Sequence, residues 1–487
     1  MYRYYIILLF FTLASMQHSK AQEFKRSQPK RFSIRSDNVE ILGMANDLIY
    51  VHEYNRDEQI IKTFNAQLGI TWKKKIPFLS KRQVPFQVKL QDSSVNFFYT
   101  ERKKSTRYLN LMRFNLDLVM DTTMTIDSFS KSFGESFPNL IMEQSENKAW
   151  TVIYYLNRKL NAPPVLHYIV LNASMKLIRN DTIKIPDTDR KIAFYDLKIN
   201  DEGRMFIIVN HYKDNNHQSF SDKYFILTAD NKFQPDESFT LLSNGKFFNN
   251  ATFEIDNLNN HIAVVAFYTS DYRKEPTAEG VYFHSIDLNT NSSIEQYIEF
   301  EPSFISKITG HAREKSNERM YFFVIDKLIF RKDGGVLLVA ESYHKTIRTR
   351  AVGVLYTPYG SPGTEISTTF YFEDIIAMSI HPDGNLYWKT VLPKSQISSG
   401  DNGRYSSYSF VNTGNYLAFI YNDEIKYRTN VIEYIIAADG EMSRNLLFNA
   451  KNQDVYLMPS FAKQVQGRQL VIPSYKRGKL RFVKFKF

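Results

Sequence analysis

Cysteine is absent from the 487 residues. That excludes disulfides, thiolate metal sites, a cysteine nucleophile and a lipidated cysteine anchor at a cleavage point. Long hydrophobic runs are also scarce: beyond the N-terminus no stretch approaches the roughly 20 apolar residues a membrane-spanning helix needs. Gly-x-Ser-x-Gly, His-Glu-x-x-His and EF-hand patterns are missing, so no acyl-transfer nucleophile, zinc pair or calcium loop is nominated. His211 and His217 flank Asp214 in "NHYKDNNHQ", a spacing that fits a polar surface loop better than a zinc site. We expect no catalytic residue, no metal and no cofactor.

What is present points to β structure. Hydrophobic residues make up 43% of the chain, with 31 Tyr and 38 Phe; aromatic and β-branched side chains suit pleated, half-buried surfaces. The N-terminal "MYRYYIILLFFTLASMQHSKAQ" joins Arg3, an apolar run from Tyr4 to Ala14 and a small-x-small site at Ser19-Lys20-Ala21. That is the layout of a signal peptide spanning residues 1–21, and it places the mature chain in a bacterial periplasm or on a cell surface. Without that segment the chain carries 60 basic and 51 acidic residues. Clusters such as Lys73-Lys74-Lys75 and Arg102-Lys103-Lys104 could meet an acidic glycan or an acidic protein partner. Nucleic acid is not expected, because the chain reads as exported and lacks a binding motif.

A repeat organises residues 22–487. Eight strongly apolar segments begin at Leu48, Val95, Trp150, Met205, Ile262, Val336, Tyr416 and Leu470, separated by 47, 55, 55, 57, 74, 80 and 54 residues. Each follows a turn rich in Asn, Asp, Gly or Ser, residues that tolerate positive φ or bond their own backbone. All but the last precede a second hairpin, with turns at Asn65, Asn115, Asn172, Ala229, Asp287, His381 and Ala437. Four strands per unit, lettered a to d, give an all-β propeller of eight blades, or seven on a stricter count. The eighth unit is one strand short, and "KRFSIRS" at 30–36 is the expected strand to complete it and close the ring. A lipid-facing barrel would alternate polar and apolar residues; "MFIIV", "IAVVAF" and "VLLVA" do not. A short helix is expected near Ile308.

The hairpin "SIHPDGNLYW" from Ser379, echoed by "NAQLGITW" from Asn65, resembles the repeat of pyrroloquinoline-quinone-type and WD40-like eight-bladed propellers. The resemblance implies the fold alone. The adjacent-cysteine disulfide and calcium site of the quinoprotein enzymes have no counterpart here, and non-catalytic envelope scaffold propellers are closer in kind. Sialidase boxes are absent as well.

The long connections all fall in b–c or d–a positions, hence on one face, with insertions at about 301–327, 344–374 and 394–409. One-sided long loops on a repeat scaffold mark a binding surface. The last two insertions carry Arg348, Arg350, Tyr356, Tyr359, Tyr371, Arg404, Tyr405 and Tyr408, an Arg–Tyr composition typical of protein interfaces. The sequence thus reads as an exported scaffold or accessory subunit that binds an envelope protein. A glycan-binding or glycan-cleaving propeller, with Asp271, Glu365 and Asp401 as candidate acids, is the alternative, and an outer-membrane barrel is the second.

Overall fold

The computed structural model describes residues 23–77, 82–130, 137–157, 164–185, 192–211, 221, 223–230, 232–271, 277–309, 320–352, 363–425 and 429–487. Two compact units emerge, Met1–Phe78 with Gln396–Phe487, and Leu79–Ser395. Both are built mainly from antiparallel meanders of four strands in chain order, one sheet of the first unit being completed from the N-terminal side. The signal-like segment lies outside the described residues. Among those described, no helix is long and apolar enough to cross a membrane.

In the second unit five sheets occupy 83–130, 141–184, 192–242, 247–299 and 323–392. Their second strands explain the continuous apolar runs. In Met205–His211, Met205, Ile207 and Val209 pack against the preceding sheet, while Phe206 and Ile208 pack against the following one. Successive side chains of a strand point to opposite faces, so a strand covered on both faces must be apolar at every position. Residues Ile262 to Thr269 are buried without a break for the same reason. Face-to-face stacking of short antiparallel meanders in chain order is blade packing, and the fold is a β-propeller. Separate four-stranded sheets also set aside the membrane barrel.

In the first unit the sheets are 38–75, 409–449 and 463–486. Lys463–Gln466, Gln469–Lys476 and Lys479–Lys486 supply three strands of the last, and the chain's N-terminal end supplies the fourth. The strand that does so is Glu23–Arg26, paired from Glu23↔Lys486 to Arg26↔Val483. This corrects the expectation that 30–36 would take that place. Only Lys30 and Arg31 join the sheet, because Ser33 to Asp37 turns back on itself, with the Ser33 N–H donating to Asp37 Oδ2 at 2.8 Å. Phe24 anchors the strand against Phe448 at 4.8 Å and Phe485 at 5.6 Å.

The second-hairpin turns share one mechanism. At Asn65 the side-chain Oδ1 accepts the N–H groups of Gln67 and Gly69, and Leu68 sits at φ 61°. The equivalent residues are Leu118, Met175 and Phe233, at φ 58°, 62° and 62°. Glycine usually takes this left-handed position, as Gly384 and Gly440 do. The four large residues are tolerated there because each is buried, so burial offsets the backbone strain. The tryptophans of the repeat occupy matching registers, Thr63↔Trp72 and Ser379↔Trp388.

The insertions differ from free loops. Residues 301–309 form a short helix, Pro302–Ile305, that drives Phe304, Ile305 and Ile308 into the core. The helix expected in the segment that starts at Ile308 falls largely on 310–319, outside the described residues.

Candidate binding surface

In the segment 344–374 the described residues form a paired β-ribbon rather than a loop. Val336–Val352 and Gly363–Ile380 pair along their whole lengths. Their neighbouring strands, Phe323–Phe330 and Leu386–Leu392, stop at Ser342 and Ile375. From Tyr343↔Phe372 to Val352↔Gly363 the ribbon continues for ten register pairs, about 30 Å at about 3.4 Å per residue.

A ribbon that runs on past its neighbouring strands is marginal in water without support at its root. Here the support is a bulge and a buried charge cluster. Between Glu341↔Ile375 and Tyr343↔Phe372 the returning strand carries one extra residue, which turns Glu373 and Asp374 into the interior. Asp374 Oδ1 accepts the Lys394 backbone N–H at 2.9 Å and the Thr309 hydroxyl at 3.0 Å. Lys394 Nζ lies 2.8 Å from Glu341 Oε1 and donates to the Phe372 carbonyl at 3.0 Å. Burial pushes the Lys394 ammonium below its ordinary pKa against the pull of Glu341, and burial raises the Asp374 carboxyl despite its hydrogen bonds. Above the cluster, Phe322, His344 and Tyr371 stack, with His344 4.3 Å from Tyr371 and nearly parallel to it.

Alternation sorts the rest of the ribbon into two faces. Positions 344, 346 and 348 share one face with Tyr371, Thr369 and Ser367, which places the expected residues Arg348 and Tyr371 on one face, while the side chain of Arg350 lies outside what the structure describes. The opposite face carries Ile347 and Ile366, 60% and 68% exposed, diagonal to each other across Thr368 and Thr349. Tyr356 and Tyr359 lie outside the described residues.

The other expected residues belong to the first unit and are occupied by packing. Tyr408 is buried beside Phe419. Tyr405 stacks on Tyr456 at 4.0 Å, and the Arg404 guanidinium donates to the Ile34 carbonyl. Gln396 is buried and bridges the Asn422 carbonyl and the Ser407 N–H, so 396–409 is a packed segment instead of a displayed one. Of the candidate acids, Asp401 accepts the Gly403 N–H within its own turn.

Sequence reasoning missed a cavity of about 410 Å³ in the second unit, where first strands of successive sheets present Glu143, Lys198, Glu254, Asp256 and Phe330, and the turn after the last adds Lys332. Lys198 Nζ donates to Glu254 Oε2 at 3.1 Å. The Glu143 carboxylate accepts no hydrogen bond among the described residues, and burial raises it above the ordinary range. The cavity has room and charge for a small polar ligand. Nothing in the sequence singled out Glu143, a lone acid on a four-residue strand, Ile141–Gln144. Among the described residues no group of His, Asp and Glu is arranged to hold a metal ion.

No protein-family model matches the chain, and neither does any curated protein. Solved structures do. The chain is similar to the WD40 domain of SCAP from fission yeast, at 10% identity over 94% of this chain and 98% of that one, with a TM-score of 0.40. It is similar to the β-propeller domain of the Trilobed protease from Pyrococcus furiosus, at 11% identity over 84% and 94%, TM-score 0.34. It is also similar to a post-proline cleaving enzyme from Rickettsia typhi, at 10% identity over 90% and 58%, TM-score 0.39.

Proposed function

We propose that this chain is an exported β-propeller that binds a protein of the bacterial envelope as a scaffold or accessory subunit, using the paired strands 343–352 and 363–372 as its contact. The observation that carries the reading is the ribbon itself. Ten pairs of strand continue past the pairing with Phe323–Phe330 and Leu386–Leu392, and their exposed isoleucines contribute nothing to the blade core. Apolar side chains held out on a braced element are the usual anchors of a protein interface. The N-terminal leader-like residues and the excess of basic side chains support export and an acidic partner.

The test replaces residues 345–370 with an Asn-Gly turn joining His344 to Tyr371, a two-residue hairpin that leaves the root intact. Complexes are crosslinked in intact cells and purified through the wild-type and shortened chains. The expected result is one defined partner recovered with the wild type, and its loss with a shortened variant that melts within a few degrees of it. Retention of the partner by the shortened variant would refute the proposal. So would a purified chain that recovers no partner and turns over a glycan.

A further inference from the structure

The ribbon has an edge as well as two faces, and hydrogen bonding fixes which amides occupy it. The Tyr343 N–H donates to the Phe322 carbonyl at 3.0 Å, away from the returning strand. In an antiparallel ladder successive residues alternate sides. The N–H and C=O groups of Lys345, Ile347, Thr349 and Ala351 therefore point out along the same side. No strand pairs with that side beyond Tyr343 among the described residues. Lys345 to Thr349 are all exposed. Such an edge is a template for one more strand.

We infer that the partner docks by strand addition along 344–352, through an extended segment carrying acidic residues at alternate positions with apolar residues between them. The inference rests on the proposed function and names how that contact is made. Its chemistry follows from the register. Residues 344–352 include Lys345, Arg348 and Arg350 and no acid. Positions 348 and 350 lie two apart along the strand, so an added strand meets them with residues two apart, and its intervening residue lies on the face of Ile347 and Thr349. A second copy of this chain fits poorly. Antiparallel self-pairing about Arg348 or Thr349 sets cations against cations, and like charges directly opposite destabilise a pair. Charges on an edge also discourage promiscuous pairing, which selects for a strand of opposite sign.

The test places a photo-reactive benzoylphenylalanine at Ile347 of the full chain and crosslinks in intact cells. The crosslinked partner segment is mapped by mass spectrometry. Two single variants accompany it. Thr349→Pro removes an outward edge donor without breaking a ribbon hydrogen bond, and Arg348→Glu reverses one charge. The expected outcome is a crosslink to a segment with acids two residues apart, reduced at least tenfold by either variant, while the melting temperature stays within a few degrees. A crosslink to a helical or basic segment overturns strand addition, as does one that survives Thr349→Pro. Partner capture that depends on the ribbon yet gives no crosslink at Ile347 also overturns it, and leaves the proposed function standing. Capture that does not depend on the ribbon removes both.

Discussion

Phe233 offers a test in which the expected order of two variants is the reverse of the ordinary one. Its backbone is left-handed at φ 62° and its side chain is 3% exposed. The ring meets Trp150 edge-on at 5.3 Å. The turn is fixed by the Phe233 N–H to the Asp230 carbonyl at 2.8 Å, and by the Tyr168 hydroxyl donating to the Phe233 carbonyl at 2.6 Å. Removing the ring from this core costs about 3–5 kcal/mol in either variant. Alanine keeps the left-handed strain of about 1–2 kcal/mol, which glycine sheds. Glycine in turn widens the unfolded ensemble at a cost of about 0.4–1 kcal/mol. Phe233→Gly should therefore be the more stable of the two by about 0.5–1 kcal/mol, although glycine within a strand is ordinarily the less stable by a similar amount. Urea unfolding followed by tryptophan fluorescence reads the difference directly, since Trp150 touches the site. An alanine variant as stable as the glycine variant, or more so, with equal dependence on urea, refutes the claim that burial holds this turn against its backbone preference.

Acid should weaken the fold through two histidines. His52, bonded to Gln59 at 2.9 Å, and His284, bonded to the Tyr282 hydroxyl at 3.0 Å, are both lowered by burial from 6.5 to about 4. A depressed folded pKa means that stability is full above the unfolded value and is lost as pH falls from 6.5 towards 4. The loss by pH 4.5 is about 2.5 kcal/mol for each. Urea midpoints between pH 7 and pH 4.5 should fall in the wild type and fall less in His284→Phe; equal slopes would contradict this. Gly280→Ala should cost about 1–3 kcal/mol as overpacking, because a Cβ there would lie 2.3 Å from the Ile298 carbonyl oxygen; an unchanged melting temperature would count against the packing described. Phe24→Ala should lower stability by about 1–3 kcal/mol, since the side chain is only partly buried. It should also open the Lys479–Lys486 amides to exchange, and their continued protection would show that Glu23–Arg26 does not hold that edge.

Much of the architecture was legible because its cause is periodic. A strand sandwiched between two neighbours has no polar face, so Met205–His211 and His261–Thr269 announce themselves as unbroken apolar runs, and the Asn-led turns mark where each hairpin closes. The N-terminal strand was harder. Lys30 to Ser36 looks more strand-like than Glu23–Arg26, and only the fit of Phe24 between Phe448 and Phe485 decides between them. The ribbon was misread as a loop because its polar residues hide a β-branched pattern, Thr346-Ile347 and Thr349 facing Ile366 and Thr368-Thr369. That pattern was the available signal. Tyr405 and Tyr408 look like surface binders in sequence, yet stacking on Tyr456 and Phe419 draws them inward. Glu373, Asp374 and Lys394 carry no sequence mark of burial at all; their partners are brought to them by the bulge.

Hydrogen exchange at the ribbon amides of the purified chain tests the account most directly. Lys345, Ile347, Thr349 and Ala351 should exchange near the rate of unstructured peptide. The intervening amides of His344, Thr346, Arg348 and Arg350 should be slowed by the returning strand, and all eight should be slow in the isolated complex. Uniform protection of 344–351 in the free chain would mean that the edge is already covered, and that no partner strand can be added to it.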